Sequence, residues 1–279
     1  MGVEFEVPAI APDRIGAWEP VEPWVGEDPA VLVADVESAA GTVRFAPQPD
    51  LDLDLDGTRV WVTPVEPGYR AADLWTTFRQ RYASTGLWPV LTNSYTWSTC
   101  ALAGPPALAD VDAQRWLAAE LDARHAEAEE DDDDPIPRDD RVTFSADDLT
   151  PDRHLGFDWS DVWSIVGDEL DQLALVPVRY PWDVPGRLAW DGACNHDIDA
   201  GAHAAVLRRW TFHWDTELVA LELGTMWLRT GRAITTRDEA LTAALEAFAY
   251  CSDSVYQDHD TLDALAHRLL QPVWRLWWD

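Results

Sequence analysis

The sequence predicts an α+β fold in which helices cover a mixed β-sheet. Short β-branched and aromatic runs alternate with longer segments whose apolar residues recur at helical spacing. Two of the runs, 217–223 and 226–230, are separated only by Gly224 and Thr225, which predicts a tight turn and antiparallel pairing. The last run, 272–279, holds three tryptophans in its final six residues. Such a run would be a solubility hazard on a loose tail, so we expect a strand docked in the sheet.

The first fifty residues are rich in proline and acidic side chains, and they predict small strands at 31–36 and 42–46 laid over a larger body. Residues 50–57 then alternate aspartate with leucine. Alternating carboxylates suggest a calcium loop, but the EF-hand pattern requires glycine and glutamate where this chain has Leu55 and Trp61. We therefore expect a solvated strand and turn.

A strand–helix–strand unit is predicted next, with strands at 59–65 and 87–92 and a helix at 71–83. Gly86 ends the helix. Pro89 removes a ladder donor from the second strand, which places that strand near an edge or at a bulge. The apolar residues on one face of the helix are Leu74, Trp75, Phe78 and Tyr82.

A helix at 110–130 runs into an unbroken acidic block at 129–134. A block of like charge repels itself and resists packing. The sequence therefore predicts three regions: an N-terminal α+β region with an acidic tail at 1–134, a linker or excursion at 135–158, and a C-terminal α+β domain at 159–279.

The C-terminal region continues the alternation of helices and strands. Thr236 and Glu239 form a capping box at the start of one helix. Val-Pro-Val at 176–178 echoes Val-Thr-Pro-Val at 62–65, which predicts two related strand–helix–strand units. Besides the two strands of the tight turn and the closing strand, the predicted elements are a helix from Ser160, a strand at 174–178 and helices at 202–215, from Thr236 and at 262–269.

Charge is the most unusual feature of the composition. The chain carries 51 acidic and 20 basic residues, a formal net charge of −31, and it contains no lysine. Nucleic acids and anionic membranes need a basic footprint, so the composition argues against both as partners. GC-rich codon usage explains the absence of lysine, and adaptation to high salt is a second explanation of the acidity. A basic protein partner is the functional interpretation, ranked behind these two.

The sequence also predicts a cytoplasmic location. No apolar run approaches the roughly 18 residues needed to cross a bilayer, and the first residues lack the basic region of a signal peptide. The three cysteines, Cys100, Cys194 and Cys251, are odd in number and far apart, which favours buried thiols over a disulfide framework.

A polar loop after Trp190 is the strongest candidate for a functional site. Loops held by a rigid sheet are frequent binding sites, and a histidine beside a carboxylate titrates near neutral pH. The alternative is a turn whose polar side chains bond the local backbone. The residues predicted to line a common pocket are Asn195, His196, His203, Tyr250, Asp253 and Asp279.

Zinc is the metal that the nearby cysteine and histidines would suit. Structural zinc sites use two close ligand pairs at set spacings, whereas only Cys194 and His196 form such a pair here. His203 and His213 are nearly three helical turns apart and do not easily share a site. The sequence therefore predicts neither a metal site nor a bound cofactor.

Five segments carry a family resemblance: 173–178, 189–192 with Asn195-His196, 205–210, 247–253 and 277–279. Over about residues 173–279 the chain resembles the uncharacterised bacterial domain family numbered 4253 among domains of unknown function, and other segments resemble actinobacterial members. Ser252 stands where similar sequences are expected to have proline. The family has no established activity, so the resemblance implies a bacterial setting and a domain but no mechanism.

Because no catalytic motif is present, the leading hypothesis is a soluble, non-enzymatic binding or regulatory protein that acts through protein–protein contacts, for example as an immunity-like neutraliser of a toxin. The alternative is a hydrolase-like enzyme with a polar pocket around Asn195, His196 and Asp279. A weaker hypothesis is that the acidic middle mimics nucleic acid. The residues predicted to line an interaction surface are tryptophans in loop surroundings: Trp18, Trp24, Trp97 and Trp190.

Overall fold

The computed structural model describes residues 18–24, 46–47, 59–66, 68–100, 111–130, 149 and 170–279. Several sequence predictions lie wholly or largely outside the described residues: the strands at 31–36 and 42–46, the alternating segment 50–57, the linker 135–158 and the helix from Ser160.

A mixed sheet forms the centre of the described fold. Its strands are β1 (Ala46–Pro47), β2 (Trp61–Pro64), β3 (Leu87–Thr92), β4 (Gln172–Pro177), β5 (Thr216–Leu221), β6 (Thr225–Thr230) and β7 (Val273–Trp277). In space the order is β1-β2-β4-β3-β5-β6-β7. β3 and β5 run parallel, whereas the other neighbouring pairs are antiparallel, so the sheet is mixed as predicted.

The hairpin and the closing strand, which both led to the predicted fold class, are confirmed. β5 and β6 pair antiparallel, and the N–H of Glu222 donates to the carbonyl of Thr225 across their turn (2.8 Å). The C-terminal run forms β7, which pairs with β6. Its Trp274 is fully buried, which explains why this aromatic run is no solubility hazard.

Five of the described helices lie where the apolar spacing predicts them, whereas the short helix at 184–187 was not predicted. Their bounds are α1 (Tyr69–Thr85), α2 (Ala113–Glu130), α3 (Val184–Arg187), α4 (Ala200–Trp214), α5 (Arg237–Tyr250) and α6 (Leu262–Leu269). Thr236 caps α5 by accepting a hydrogen bond from the N–H of Glu239 (3.1 Å). The Glu239 carboxylate accepts the N–H of Thr235 (3.0 Å), so the predicted capping box closes one residue earlier than its usual form.

Helices cover both faces of the sheet. Arg229 of β6 points towards α1, where its guanidinium carbon lies 4.9 Å from the ring centre of Trp75. Successive side chains of a strand point to opposite faces, so Leu228 and its partner Trp274 face the other side. There Trp274 packs against Trp210 of α4, with ring centres 5.6 Å apart. α5 and α6 pack together, and α2 packs against α4 and α5.

The predicted position of Pro89 near a sheet edge or a bulge is wrong. β3 lies in the middle of the sheet, between β4 and β5, and Pro89 lies opposite Leu175 of β4. The register between β3 and β5 is confined to Leu91 and Ala220. The missing N–H of Pro89 is tolerated because the parallel pairing lies further along the strand.

Strands from both predicted regions share this sheet. β4, from the C-terminal region, lies between β2 and β3 from the N-terminal region, and β3 separates β4 from β5. The two predicted strand–helix–strand units also differ, because β2 and β3 point the same way whereas β4 and β5 point opposite ways. The sequence echo therefore does not extend to the topology. Among the described helices, none is long and apolar enough to cross a membrane.

Candidate functional site

The predicted pocket residues lie at one end of the fold, in two groups. Asn195 and His196 belong to a short 3-10 turn (Cys194–His196) before α4, and Asp253 follows α5. These three residues meet Asp279, which follows β7. The second group is a buried pair, His203 of α4 and Tyr250 at the end of α5.

The first group joins three chain segments through hydrogen bonds. The Asp253 carboxylate accepts the backbone N–H of Asp279 (3.0 Å) and lies 3.0 Å from the Nε2 atom of His196. The side-chain amide of Asn195 donates to the main-chain oxygen of Asp279 (2.7 Å). The His196 and Asp253 side chains are only 13% and 10% exposed. These residues therefore brace the loop, the end of α5 and the C-terminal segment against one another.

Close backbone approaches fix the loop against the β5–β6 turn. The indole N–H of Trp190 donates to the carbonyl of Glu222 (2.9 Å), and the backbone N–H of Trp278 donates to the carbonyl of Gly224 (2.8 Å). A Cβ atom at Gly192 would lie 2.6 Å from the carbonyl oxygen of Leu223 and would clash with the Trp190 ring. Glycine is thus required at 192 for the loop and the turn to meet.

The buried pair leaves one polar atom unmatched. The Nδ1 atom of His203 lies 2.5 Å from the Tyr250 hydroxyl, whereas its Nε2 atom has no hydrogen-bond partner among the described residues. The rings of Trp190 and Trp278 pack around the imidazole, which is 2% exposed. Burial lowers the pKa of His203 to about 4, against the opposing effect of Asp199, so this histidine is neutral at pH 7.

The chemistry available to these groups is limited by burial. Burial raises the pKa of Cys251 to about 12 and raises that of Tyr250 well above its usual value, so neither supplies an anion near neutral pH. Cys194 is exposed, but its sulfur lies 3.8 Å from the side-chain oxygen of Asn195. Within the described ranges, no group of three or more histidine, cysteine or acidic side chains could hold a metal ion.

Two of the loop tryptophans predicted to line an interaction surface are buried, so that prediction is wrong for them. Trp97 and Trp190 are each 4% exposed. Their indole N–H groups donate to the side chain of Gln172 (2.8 Å) and to the Glu222 carbonyl. Loops can bury tryptophan when the indole finds such an acceptor. Trp18 and Trp24 are half-buried and pack against the core.

A buried ionic contact between α4 and α5 was not predicted from the sequence. Arg209 donates through Nε (3.1 Å) and Nη2 (2.8 Å) to one Glu246 oxygen, and the Trp210 indole donates to the other oxygen (2.9 Å). Burial raises the pKa of Glu246, and the hydrogen bonds from Arg209 oppose that rise. The sequence signal for this contact was that Arg209 and Glu246 are charged residues among the apolar residues of two helices.

Acidic side chains surround the braced segments. We call the surface formed by residues 191–199, residues 222–224 and Asp279 the end surface. Its exposed carboxylates belong to Asp191, Asp197, Asp199 and Asp279. Asp199 also caps α4 by accepting the N–H of Ala202 (2.7 Å). The end surface is therefore both acidic and held in one conformation by its internal hydrogen bonds.

A cavity of about 250 Å³ lies elsewhere, between the start of α2 and α4. Its lining includes Arg208, Arg209 and Phe212, and none of the predicted pocket residues contributes to it. The predicted residues thus come together without lining this cavity.

Residues 172–279 match the sequence profile of a family described as Domain of unknown function (DUF4253). This match confirms the resemblance expected over residues 173–279. No curated protein matches the chain, and no solved structure matches it. The family description names no activity, so function has to be inferred from the geometry.

Proposed function

We propose that this protein, which contains a domain of unknown function at residues 172–279, is a cytoplasmic bacterial binding protein that recognises a positively charged segment of another protein. The observation that carries the proposal is the end surface, where the predicted pocket residues brace exposed carboxylates. Complementary charge speeds encounter and selects partners. The way in which the polar groups are used supports a non-enzymatic role.

Those polar groups are engaged with one another. The Asp253 carboxylate contacts the main-chain N–H of Asp279 and the His196 ring, and the Asn195 amide donates to the main-chain oxygen of Asp279. The His196–Asp253 contact is also the one feature that favours the hydrolase-like alternative, because a carboxylate can orient a catalytic histidine. Its use as a brace between three segments favours the binding role instead.

Within the described ranges, the exposed carboxylates of the end surface are not paired with basic side chains. Several arginines are committed to carboxylates elsewhere: Arg79 and Arg229 contact Glu217, and Arg232 contacts Glu239. In the part of the chain that the structure describes, no ion pair involves Asp191, Asp197 or Asp279. These carboxylates are therefore free to meet a cationic partner.

The rigidity of the end surface also supports binding. Its segments are fixed by side-chain and backbone hydrogen bonds before any partner arrives. A surface that is already ordered loses less conformational entropy on association. Basic side chains of a partner would thus meet carboxylates at fixed positions.

The proposal is tested with a peptide that alternates arginine with serine. The variant Asp191→Asn/Asp197→Asn/Asp279→Asn removes charge from the end surface. The matched control, with the same change of net charge, is Asp73→Asn/Asp122→Asn/Asp215→Asn, whose aspartates are exposed elsewhere.

We expect the end-surface variant to weaken peptide affinity about fivefold, since three exposed charge contacts worth a few tenths of a kcal/mol each add up to about 1 kcal/mol. The control variant should change affinity much less. Equal losses in both variants, measured by calorimetry, would show that the peptide responds only to net charge and would contradict the proposal.

A further inference from the structure

Two of the most exposed apolar side chains in the described residues lie at neighbouring strand ends. Tyr95 is 76% exposed and follows β3, and Leu223 is 52% exposed and follows β5. β3 and β5 are parallel neighbours, with Leu91 opposite Ala220. The two side chains therefore leave the same edge of the sheet, and Leu223 belongs to the end surface.

Tyr95 is held on a rigid turn. The side-chain oxygen of Asn93 accepts hydrogen bonds from the backbone N–H groups of Tyr95 and Thr96, each at 3.1 Å. The Thr96 hydroxyl lies 3.4 Å from the carbonyl of Leu221, which links this turn to the end of β5. The exposure of Tyr95 is thus a fixed feature of the fold.

Leu223 is held in a similar way. Glu222, its neighbour, bonds Thr225 across the turn and accepts the indole N–H of Trp227 on its side chain (2.6 Å). Gly192 lies directly against the Leu223 carbonyl. Both apolar side chains are therefore presented to solvent by a backbone that has little freedom to withdraw them.

Carboxylates flank this apolar pair. On the Tyr95 side, exposed Asp171 precedes β4, whose first residue, Gln172, lies opposite Thr92 of β3. On the Leu223 side are the carboxylates of the end surface. An apolar centre with a charged rim is the usual anatomy of a protein interface, in which the centre supplies most of the binding energy.

We propose that Tyr95 and Leu223 form the apolar centre of a docking site whose rim consists of Asp171 and the exposed carboxylates of the end surface, and that its occupant is a partner-protein segment in which apolar side chains are flanked by arginine or lysine. This inference rests on the proposed function and adds the chemistry of the partner. Charge complementarity selects the occupant, because an acidic rim attracts a basic segment and repels an acidic one. Tyrosine contributes a large contact area with little loss of side-chain entropy.

The test compares two peptides of equal length and charge, one alternating arginine with leucine and the other arginine with serine. Wild-type protein should bind the leucine peptide about tenfold more tightly, because burying even one leucine is worth about 1.5 kcal/mol or more. In the variant Tyr95→Ser/Leu223→Ser that preference should fall to about twofold or less. The control Tyr256→Ser, which alters a side chain that is 40% exposed in another segment, should keep the preference.

The outcomes separate the two proposals. Loss of the preference in the double variant, with unchanged affinity for the serine peptide, supports the apolar centre. A preference that survives the double variant overturns the apolar centre while leaving charge recognition by the end surface intact. If the end-surface variant Asp191→Asn/Asp197→Asn/Asp279→Asn binds both peptides as tightly as the wild-type protein does, the proposed function itself is overturned. Since both substituted side chains are exposed, circular dichroism is expected to show an unchanged fold.

Discussion

Two polar contacts connect the region of α5 to earlier segments of the chain. One lies within α5 and is buried, and the other lies just after α5 and borders the end surface. Arg209 and Glu246 join α4 to α5 with side chains 2% and 0% exposed, and Trp210 satisfies the second carboxylate oxygen. His196 and Asp253 join the loop before α4 to the end of α5 at 13% and 10% exposure, beside exposed carboxylates. The side chains of the first contact are almost completely buried, so this contact stabilises the packing of α4 against α5. The second contact positions a surface that a partner can reach.

Removing Glu246 should have the largest effect on stability. Glu246→Ala removes the carboxylate that accepts from Arg209 and Trp210 inside a buried ionic contact, so we expect the free energy of unfolding to fall by about 3–5 kcal/mol. Urea unfolding measures this loss. The control Glu239→Ala breaks a contact with Arg232 in which both side chains are 29% exposed, and it should cost about 1 kcal/mol or less. Similar losses in both variants would remove the distinction between buried and accessible contacts.

The burial of His203 should make stability depend on pH. The pKa of His203 is about 4 in the folded protein, whereas the ordinary pKa of histidine is 6.5. As pH falls, the unfolded chain therefore binds a proton at this residue before the folded protein does. Stability is therefore lost between pH 6.5 and 4, by up to about 3 kcal/mol.

Asp183 opposes this effect and has to be removed to reveal it. Burial raises its pKa to about 6 from 3.8, so the folded protein binds a proton first and gains stability as pH falls through that window. Asp183→Asn should consequently lose stability more steeply on acidification than wild type. The double variant Asp183→Asn/His203→Phe also lacks the buried histidine, so its stability should fall less steeply on acidification than that of Asp183→Asn. Urea unfolding at a series of pH values measures both slopes. An equal slope in both variants would contradict the burial of a neutral histidine.

Breaking the contact between His196 and Asp253 should have a smaller effect on stability, and it should also weaken binding. Asp253→Ala removes the acceptor of His196 and of the Asp279 N–H, so we expect a loss of about 1–2 kcal/mol. Affinity for the arginine–serine peptide should fall about threefold, because the end-surface segments lose their fixed positions. Asp258→Ala removes an equal charge from an exposed contact with Arg275 and serves as the control in the same titration. A matching loss of affinity in that control would mean that the brace does not contribute.

Much of the fold could be predicted because it depends on local patterns. The apolar spacing predicted the five longer helices, the Gly224-Thr225 turn predicted the hairpin, and the aromatic C-terminal run predicted β7. The central position of β3 could not be predicted from Pro89, because tolerance of proline depends on where the neighbouring strand begins to pair. The sheet order depends on contacts between distant segments, which no local pattern encodes.

The sequence predicted which residues belong to the candidate site better than it predicted how those residues contact one another. His203 and Tyr250 are 47 residues apart in sequence and meet only because α4 and α5 pack together. The role of Glu246 was missed because a glutamate in a helix usually faces solvent. The exposure of Tyr95 and Leu223 was also missed, since both belong to turns whose depth is set by the rest of the fold. Residue type identified candidates, and tertiary packing decided which are accessible.

The most direct test of charge recognition by the end surface is amide chemical-shift mapping with the arginine–serine peptide. We expect the largest shifts at residues 191–199, at 222–224 and at Asp279, and we expect them to diminish as salt is raised because exposed charges are screened. Shifts spread evenly over all acidic surfaces, or shifts that ignore ionic strength, would contradict a dedicated binding surface at this end of the fold.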